Sequence, residues 1–274
     1  MNGFARVYAV ELLFERQTHI DVDAILVAMQ KYCGNVSLYR SENAFVFSFT
    51  DHLLSYEEGK LPAQCLLIYA NPKTDKDKND YLQSAIQQSW CLNNAQEIVN
   101  QSHYQVLFSD FMSSGLPYQE RHKLFLNGLR AVLENVNCQG IYWQLSQQII
   151  KPDEFLAAQK REFYDFLYGS INVRFFNIRG GNNIMLMDTL GLAALGLTDI
   201  QCHFTALDQN LVSKILFNLA YYVYENGEII ENGDTVPGIA PNEKWICQYE
   251  DALVEPKRVV IDLNPGLPYA AGNR

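Results

Sequence analysis

The stretch Asn183–Phe204 constrains the fold more than any other part of this chain. An apolar run leads to Asp188-Thr189, the glycines Gly191 and Gly196 enclose Ala193 and Ala194, and a second run extends from Asp199 to Phe204. Apolar runs on either side of a small-residue insert read as strand, turn, short helix and strand. Small side chains let a helix over Leu190–Leu197 lie close to its sheet, and Asp188-Thr189 is expected to cap it. The glycine spacing is that of a phosphate-binding loop, but Leu197 stands where that loop needs a lysine, and no Gly-x-Gly-x-x-Gly run occurs. The segment therefore reads as architecture and not as a phosphate site.

The flanking sequence extends the same alternation. Val7, Ala9, Leu12 and Phe14 mark a strand over Arg6–Phe14, and Asp21 is placed to cap a helix to Lys31 with Ile25, Leu26 and Met29 at helical spacing. Val36–Tyr39 and Ala44–Thr50 form a hairpin, the second strand setting Phe45, Phe47 and Phe49 on one face. A strand over Gln64–Ala70 ends at Asn71-Pro72, two helices follow over Asp80–Trp90 and Asn94–Gln101, and His103–Phe111 returns to strand. Pro117 opens a helix to Val136 whose apolar face is Leu124, Phe125, Leu129, Val132 and Val136, and Gly140–Gln144 is the next strand.

Beyond a joint at Ile150–Asp153, Lys151–Tyr168 reads as helix, Ile171–Ile178 and Ile184–Asp188 as strands around a turn at Arg179–Asn183, and Asp199–Phe204 as a strand. Asp208 caps a helix ended by Gly227, with Leu211, Ile215, Leu216, Leu219 and Val223 as its stripe. Asn226-Gly227 and Asn232-Gly233 are turns around Glu228–Ile230, and Lys244–Tyr249 and Arg258–Leu263 are the last strands. This order predicts the α+β class: two sandwich-like halves, mainly antiparallel sheets with helices packed on one face, and room for a ferredoxin-like arrangement in the first. The expected division is an N-terminal domain over 1–150, a connecting helix over 151–169, a second domain over 170–265 and a tail over 266–274. No internal repeat is present.

Charge narrows the partners. The chain carries 21 basic and 31 acidic residues, an acidic surplus that speaks against nucleic acid, whose binding draws on clustered Lys and Arg. The densest basic stretch, Lys73–Lys78, alternates with Asp75 and Asp77 and reads as a solvated loop. No apolar run approaches the roughly 18 residues of a membrane-spanning helix, and Phe4–Phe14 is too broken by Arg6 and Glu11 for a signal peptide. The six cysteines are scattered, with no Cys-x-x-Cys pair. Free buried thiols and a cytoplasmic location are expected, with no membrane association.

Local signatures of catalysis are missing. The five histidines form no His-x-His or His-Glu-x-x-His pair, so no metal and no cofactor is expected. Cys202 and His203 are strand neighbours that point to opposite faces, and no Gly-x-Ser-x-Gly elbow occurs. Asp110, Arg121 and His122 lie across a strand-to-helix turn and suggest a structural ion pair. Gln88 and Trp90 near a helix end, and Tyr142, Trp143 and Gln144 on a strand, combine amides with aromatic rings and are the candidate binding residues.

The segment Met187–Leu192, with Leu195-Gly196-Leu197 and Asp199-Ile200-Gln201, resembles a bacterial family known as domain of unknown function 4261. The resemblance continues through Asn218–Tyr224, Gly233–Val236, Glu250–Val254, Pro256 and Arg258–Val260, covering residues 170–265. The turn Thr189–Leu192 is also similar, more distantly, to suppressor-of-fused-like domains. That similarity implies a protein-interaction module, with immunity-type or secretion-associated roles among its relatives, and offers no catalytic residue. Two readings follow. The first is a cytoplasmic protein-binding module and not an enzyme. The alternative is a hydrolase for a small polar substrate, with a site assembled from Arg121, His203 and Glu250.

Overall fold

The computed structural model describes residues 7–57, 59–69, 82–90, 92–160, 167–178 and 183–272. The stretch Lys73–Lys78, the turn at Asn71-Pro72, Cys91 and residues 179–182 fall outside them. The chain divides into two units, one reaching to Ser170 and the other taking in Ile171–Arg274.

In the first unit, all residues of strand β1 (Ala9–Phe14) are buried, although the sequence suggests a one-sided strand. The reason is its central position. The remaining strands are β2 (Val36–Arg40), β3 (Ala44–Tyr56), β4 (Gly59–Tyr69), β5 (Tyr104–Phe111), β6 (Gly140–Trp143) and β7 (Gln148–Ile150), in the order β2-β3-β4-β5-β1-β6-β7. β1 is flanked antiparallel by β5 and β6. The helices are α1 (Val22–Cys33), α2 (Gln83–Gln88), α3 (Ala95–Gln101), α4 (Tyr118–Leu133) and α5 (Pro152–Ala158). α1 starts as expected: the Ala24 N–H donates to Asp21 Oδ1 at 3.0 Å, satisfying one of the amides a helix start leaves open. It packs against α4.

The order β4-β5-β1-β6, with α1 following β1 and α4 joining β5 to β6, is that of a ferredoxin-like sheet. β2, β3 and β7 extend it. Helices occupy more than one face, however. Leu13 and Tyr142 form a second apolar cluster with Ala85, Ala95, Ile98 and Val99 of α2 and α3. Cover on both sides explains why β1 shows no exposed face, even at Glu11.

The second unit contains β8 (Asn172–Asn177), β9 (Ile184–Leu190), β10 (Asp199–Thr205), β11 (Thr235–Pro237), β12 (Lys244–Asp251) and β13 (Val259–Asn264), with α6 (Gln209–Asn226). The strand order is β11-β12-β13-β10-β9-β8. β10 and β13 run parallel, and the other pairs are antiparallel. Asp208 caps α6, its carboxylate accepting from Asn210 N at 2.8 Å. α6 packs over β8, β9 and β10, burying Val212, Leu216, Ala220 and Val223. Ile200, Cys202 and Phe204 of β10 are fully buried.

The small-residue insert departs from expectation. Instead of a helix over Leu190–Leu197, β9 runs through Leu190 and only Leu192–Leu195 form a single 3-10 turn. Gly191 takes φ 138, a conformation that ends the strand abruptly and that side-chain-bearing residues rarely adopt. The cap comes from Asp199, whose Oδ1 accepts from Leu192 N at 3.1 Å, and not from Asp188-Thr189. The tail is also structured in part: Thr205 N donates to Tyr269 O at 2.9 Å, and Ala271 N to His203 O at 3.2 Å.

Gly169 supplies a test of the first core. Its φ is +86, and a Cβ there would stand 2.7 Å from Cζ2 of the Trp143 indole, which is 1% exposed and packs edge-on against Phe125 with ring centroids 6.1 Å apart. Gly169→Ala adds both backbone strain and overpacking, each costing on the order of 1–3 kcal/mol. The expected outcome in chemical denaturation is a loss of several kcal/mol with an unchanged slope; a loss below about 0.5 kcal/mol would refute the close packing.

Candidate functional site

β10 alternates strictly: Asp199, Gln201 and His203 on one face, Ile200, Cys202 and Phe204 on the other. Pairing extends the polar face across the sheet. Arg174 of β8 lies opposite Asp188 of β9, Asp188 opposite Gln201, Gln201 opposite Asp262 of β13, and Asp262 opposite Gln248 of β12. The segment 252–258 returns over this row. Leu253 N donates to Gln201 Oε1 at 3.1 Å, and Arg174 Nη1 donates to Glu255 O at 2.9 Å.

The charges meet there. Arg174 grips Asp188 through both Nε (2.9 Å) and Nη2 (2.6 Å). Arg258 reaches back from the covering segment, with Nη2 on Asp188 Oδ2 at 2.6 Å and Nε on Asp199 Oδ2 at 2.9 Å. Its Nη2 also donates to Thr189 O at 2.9 Å. Asp188 and Asp199 are fully buried, and the Arg174 and Arg258 side chains are 2% and 4% exposed. Two guanidiniums thus neutralise two carboxylates away from water. Burial pushes the Asp199 carboxyl up to about 6; the Asp188 charge adds to the rise and Arg258 opposes it.

The first unit holds another buried polar group. Asp110 accepts from the Tyr8 backbone and from Arg121 Nε, both side chains of the Arg121–Asp110 pair being buried, so the expected structural ion pair is present. His122 Nε2 lies 2.7 Å from Ser170 Oγ. This spacing would suit a nucleophile and its base, but Ser170 is fully buried and His122 is 2% exposed. Burial lowers the His122 pKa to about 3, which keeps the ring neutral at ordinary pH.

The sequence candidates fall in both units. Arg121 belongs to α4 of the first unit, whereas His203 and Glu250 lie on β10 and β12 of the second. Within that sheet Glu250 aligns with Val260 and Asp199. His203 is four residues further along β10 than Asp199, about 13 Å at the rise of a strand, and a strand intervenes between β10 and β12. Gln88 is buried at the end of α2, while Trp90 is 49% exposed. Tyr142 and Trp143 face opposite sides of their sheet: Tyr142 joins the cluster under α2 and α3, and Trp143 packs with Phe125 and Phe155. Gln144 Nε2 donates to Glu11 Oε1 at 2.8 Å. Among the described residues, no group of three His, Cys, Asp or Glu side chains could hold a metal ion.

An open groove of about 740 Å³ lies in the second unit. One wall is α6, through Leu211, Ile215, Leu219 and Tyr222; the other is the chain from Ile229 to Ile239. Gly227, with φ 78, ends α6 and turns the chain back, and Ile229 N donates to Gly227 O at 2.9 Å. The far wall is tied to β12 by Cys247 N on Asp234 O at 2.8 Å. Leu211 (43%), Tyr222 (46%) and Ile229 (52%) are exposed around it. In the sequence Leu211 and Ile215 belong to the i, i+4 stripe of this helix. They form a second apolar row beside Val212, Leu216, Ala220 and Val223, more apolar circumference than one sheet covers.

Residues 188–264 match the model of a family described as Domain of unknown function (DUF4261). The match begins at Asp188 and takes in Asp199, Gln201, Arg258, Asp262 and the whole groove wall, so the resemblance seen in the sequence is supported over that stretch. No curated protein matches the chain, and no solved structure does.

Removing one partner of a buried ion pair leaves the other uncompensated. Arg258→Met is therefore expected to cost about 3–5 kcal/mol of unfolding free energy; a cost under about 1 kcal/mol would contradict the clamp. The pH dependence has a definite sign. With its folded pKa raised, Asp199 contributes stability that is fully present below its ordinary value near 3.8 and is lost as pH rises through about 6. Relative to Asp199→Asn, the native protein should gain up to about 3 kcal/mol between pH 7 and pH 4. Buried neutral His122 acts oppositely, favouring folding above its ordinary value near 6.5, and cancels in this comparison. A pH-independent difference in melting would refute the raised pKa.

Proposed function

We propose that this is a bacterial, cytoplasmic protein-binding module and not an enzyme, and that its partner docks in the groove beside α6. The observation that carries this reading is the contrast between two kinds of surface. The polar clusters of Asp188 and Ser170 are sealed from water, where no substrate meets them. Leu211, Tyr222 and Ile229 surround an open groove, where burial by a partner would be favourable at roughly 25 cal/mol per Å². Buried thiols accord with a reducing compartment: Cys33, Cys65, Cys138 and Cys247 are free and buried, and Cys202 is buried. No helix among the described residues is long and apolar enough to cross a membrane. The acidic surplus disfavours nucleic acid. Likeness to suppressor-of-fused-like domains extends the proposal to an immunity-type or secretion-associated role.

Capture with tagged protein from the native host tests it. The wild type should recover a stoichiometric protein partner, and Leu211→Asp with Ile229→Asp should reduce recovery at least about tenfold, the scale of losing one central apolar anchor. Both substitutions are at exposed positions, so the variant should melt like the wild type. Recovery of no stoichiometric partner by the wild type would overturn the reading.

A further inference from the structure

Resting on the protein-binding reading, the charge around the groove narrows what the partner segment must be. Between Asp208 and Lys244 the chain carries Asp208, Glu225, Glu228, Glu231, Asp234 and Glu243, against Lys214 and Lys244 alone. Their arrangement is polar along the groove. Lys214 lines the end near the start of α6, and Asp234 the facing wall. Glu225 follows Tyr222 by one helical turn, and the Glu231 N–H donates to Asp234 Oδ2 at 2.8 Å, which keeps Glu231 beside Asp234. Glu225, Glu231 and Asp234 are all exposed. The C-terminal end of α6 adds the partial negative charge of its open carbonyls. An apolar floor with an anionic end is a defined complement.

We propose that the groove takes an amphipathic segment of a partner protein, its apolar side chains seated between α6 and Ile229–Ile239 and its Lys or Arg residues over Glu225, Glu231 and Asp234. α6 with the returning chain forms the kind of trough that receives apolar anchors at helical spacing. A second copy of this chain docked groove to groove fits poorly: it would bring the same carboxylates against one another on a chain of net charge -10, and juxtaposed like charges weaken an interface.

The probe is a fluorescein-labelled amphipathic peptide of leucine and lysine, read by anisotropy, beside two analogues: one with glutamate for lysine and one with serine for leucine. The Leu/Lys peptide should bind and both analogues should not. Ile229→Asp should weaken binding at least about tenfold. Glu225→Lys with Glu231→Lys should weaken the Leu/Lys peptide and admit the Leu/Glu peptide, with all variants melting like the wild type. Equal binding of the Ser/Lys peptide would overturn the proposal, because any acidic surface would then suffice. Equal binding of the Leu/Glu peptide, or indifference to Ile229→Asp, would overturn it as well. So would a dimer in light scattering that Ile229→Asp disperses. If host capture succeeds and depends on Leu211 and Ile229 while the Leu/Lys peptide fails to bind, the docking reading stands and the basic-segment assignment falls.

Discussion

Arg258 bridges Asp188 and Asp199 while Arg174 holds Asp188 from the other side, and the geometry of the second unit depends on this buried quartet. Taking four charges out of water is costly, and replacing such a cluster by apolar residues can leave a protein equally stable. The cluster's physical effect lies in what it forbids. A one-residue slip of β8 against β9 would set Arg174 beside Met187 or Thr189 and leave Asp188 without its bidentate partner. The same charges hold segment 252–258 over the sheet, through Arg258 itself and through the Glu255 and Pro256 carbonyls that accept from Arg174 and Arg258. Asp199 also caps the 3-10 turn, so one carboxylate links turn, strand and cover.

The residues that carried the family resemblance have a structural place in this arrangement. Asp188, Asp199-Ile200-Gln201, Leu253, Pro256 and Arg258 carried the resemblance, and the family match begins at Asp188. In the structure they are the interlocking parts of one charge cluster and its cover. The proposed docking surface lies on the other face of α6, where Leu211 and Tyr222 stand exposed because the helix has more apolar circumference than its own sheet buries. The acidic turn region after α6, with Glu228, Glu231 and Asp234, then gives that surface a charge as well as a shape.

Secondary structure was legible where a local cause sufficed. Asp21 and Asp208 as caps, the Phe45, Phe47 and Phe49 face and the alternation of β10 rest on period and capping chemistry, which neighbouring residues decide. β7 and β11, three residues each, were not legible, because a strand that short shows no period and exists only through the ladder its neighbour offers. The helix expected over Leu190–Leu197 shrank to one turn because Gly191 and Gly196 both adopt positive φ, a choice that glycine permits but does not announce. Leu211 and Ile215 read as core because amphipathic periodicity identifies an apolar face without saying whether anything covers it.

By itself the sequence determined the α+β class, the order of most elements, the acidic character and the absence of local metal and nucleophile motifs, all of which follow from composition and short-range spacing. Only the tertiary structure decided that Asp188 and Asp199 are interior ions and that Leu211, Tyr222 and Ile229 stand in solvent. The reason is that burial is set by residues distant along the chain. Arg258 reaches β9 and β10 from the segment between β12 and β13, and the chain beyond Gly227 leaves Leu211 and Tyr222 of α6 exposed.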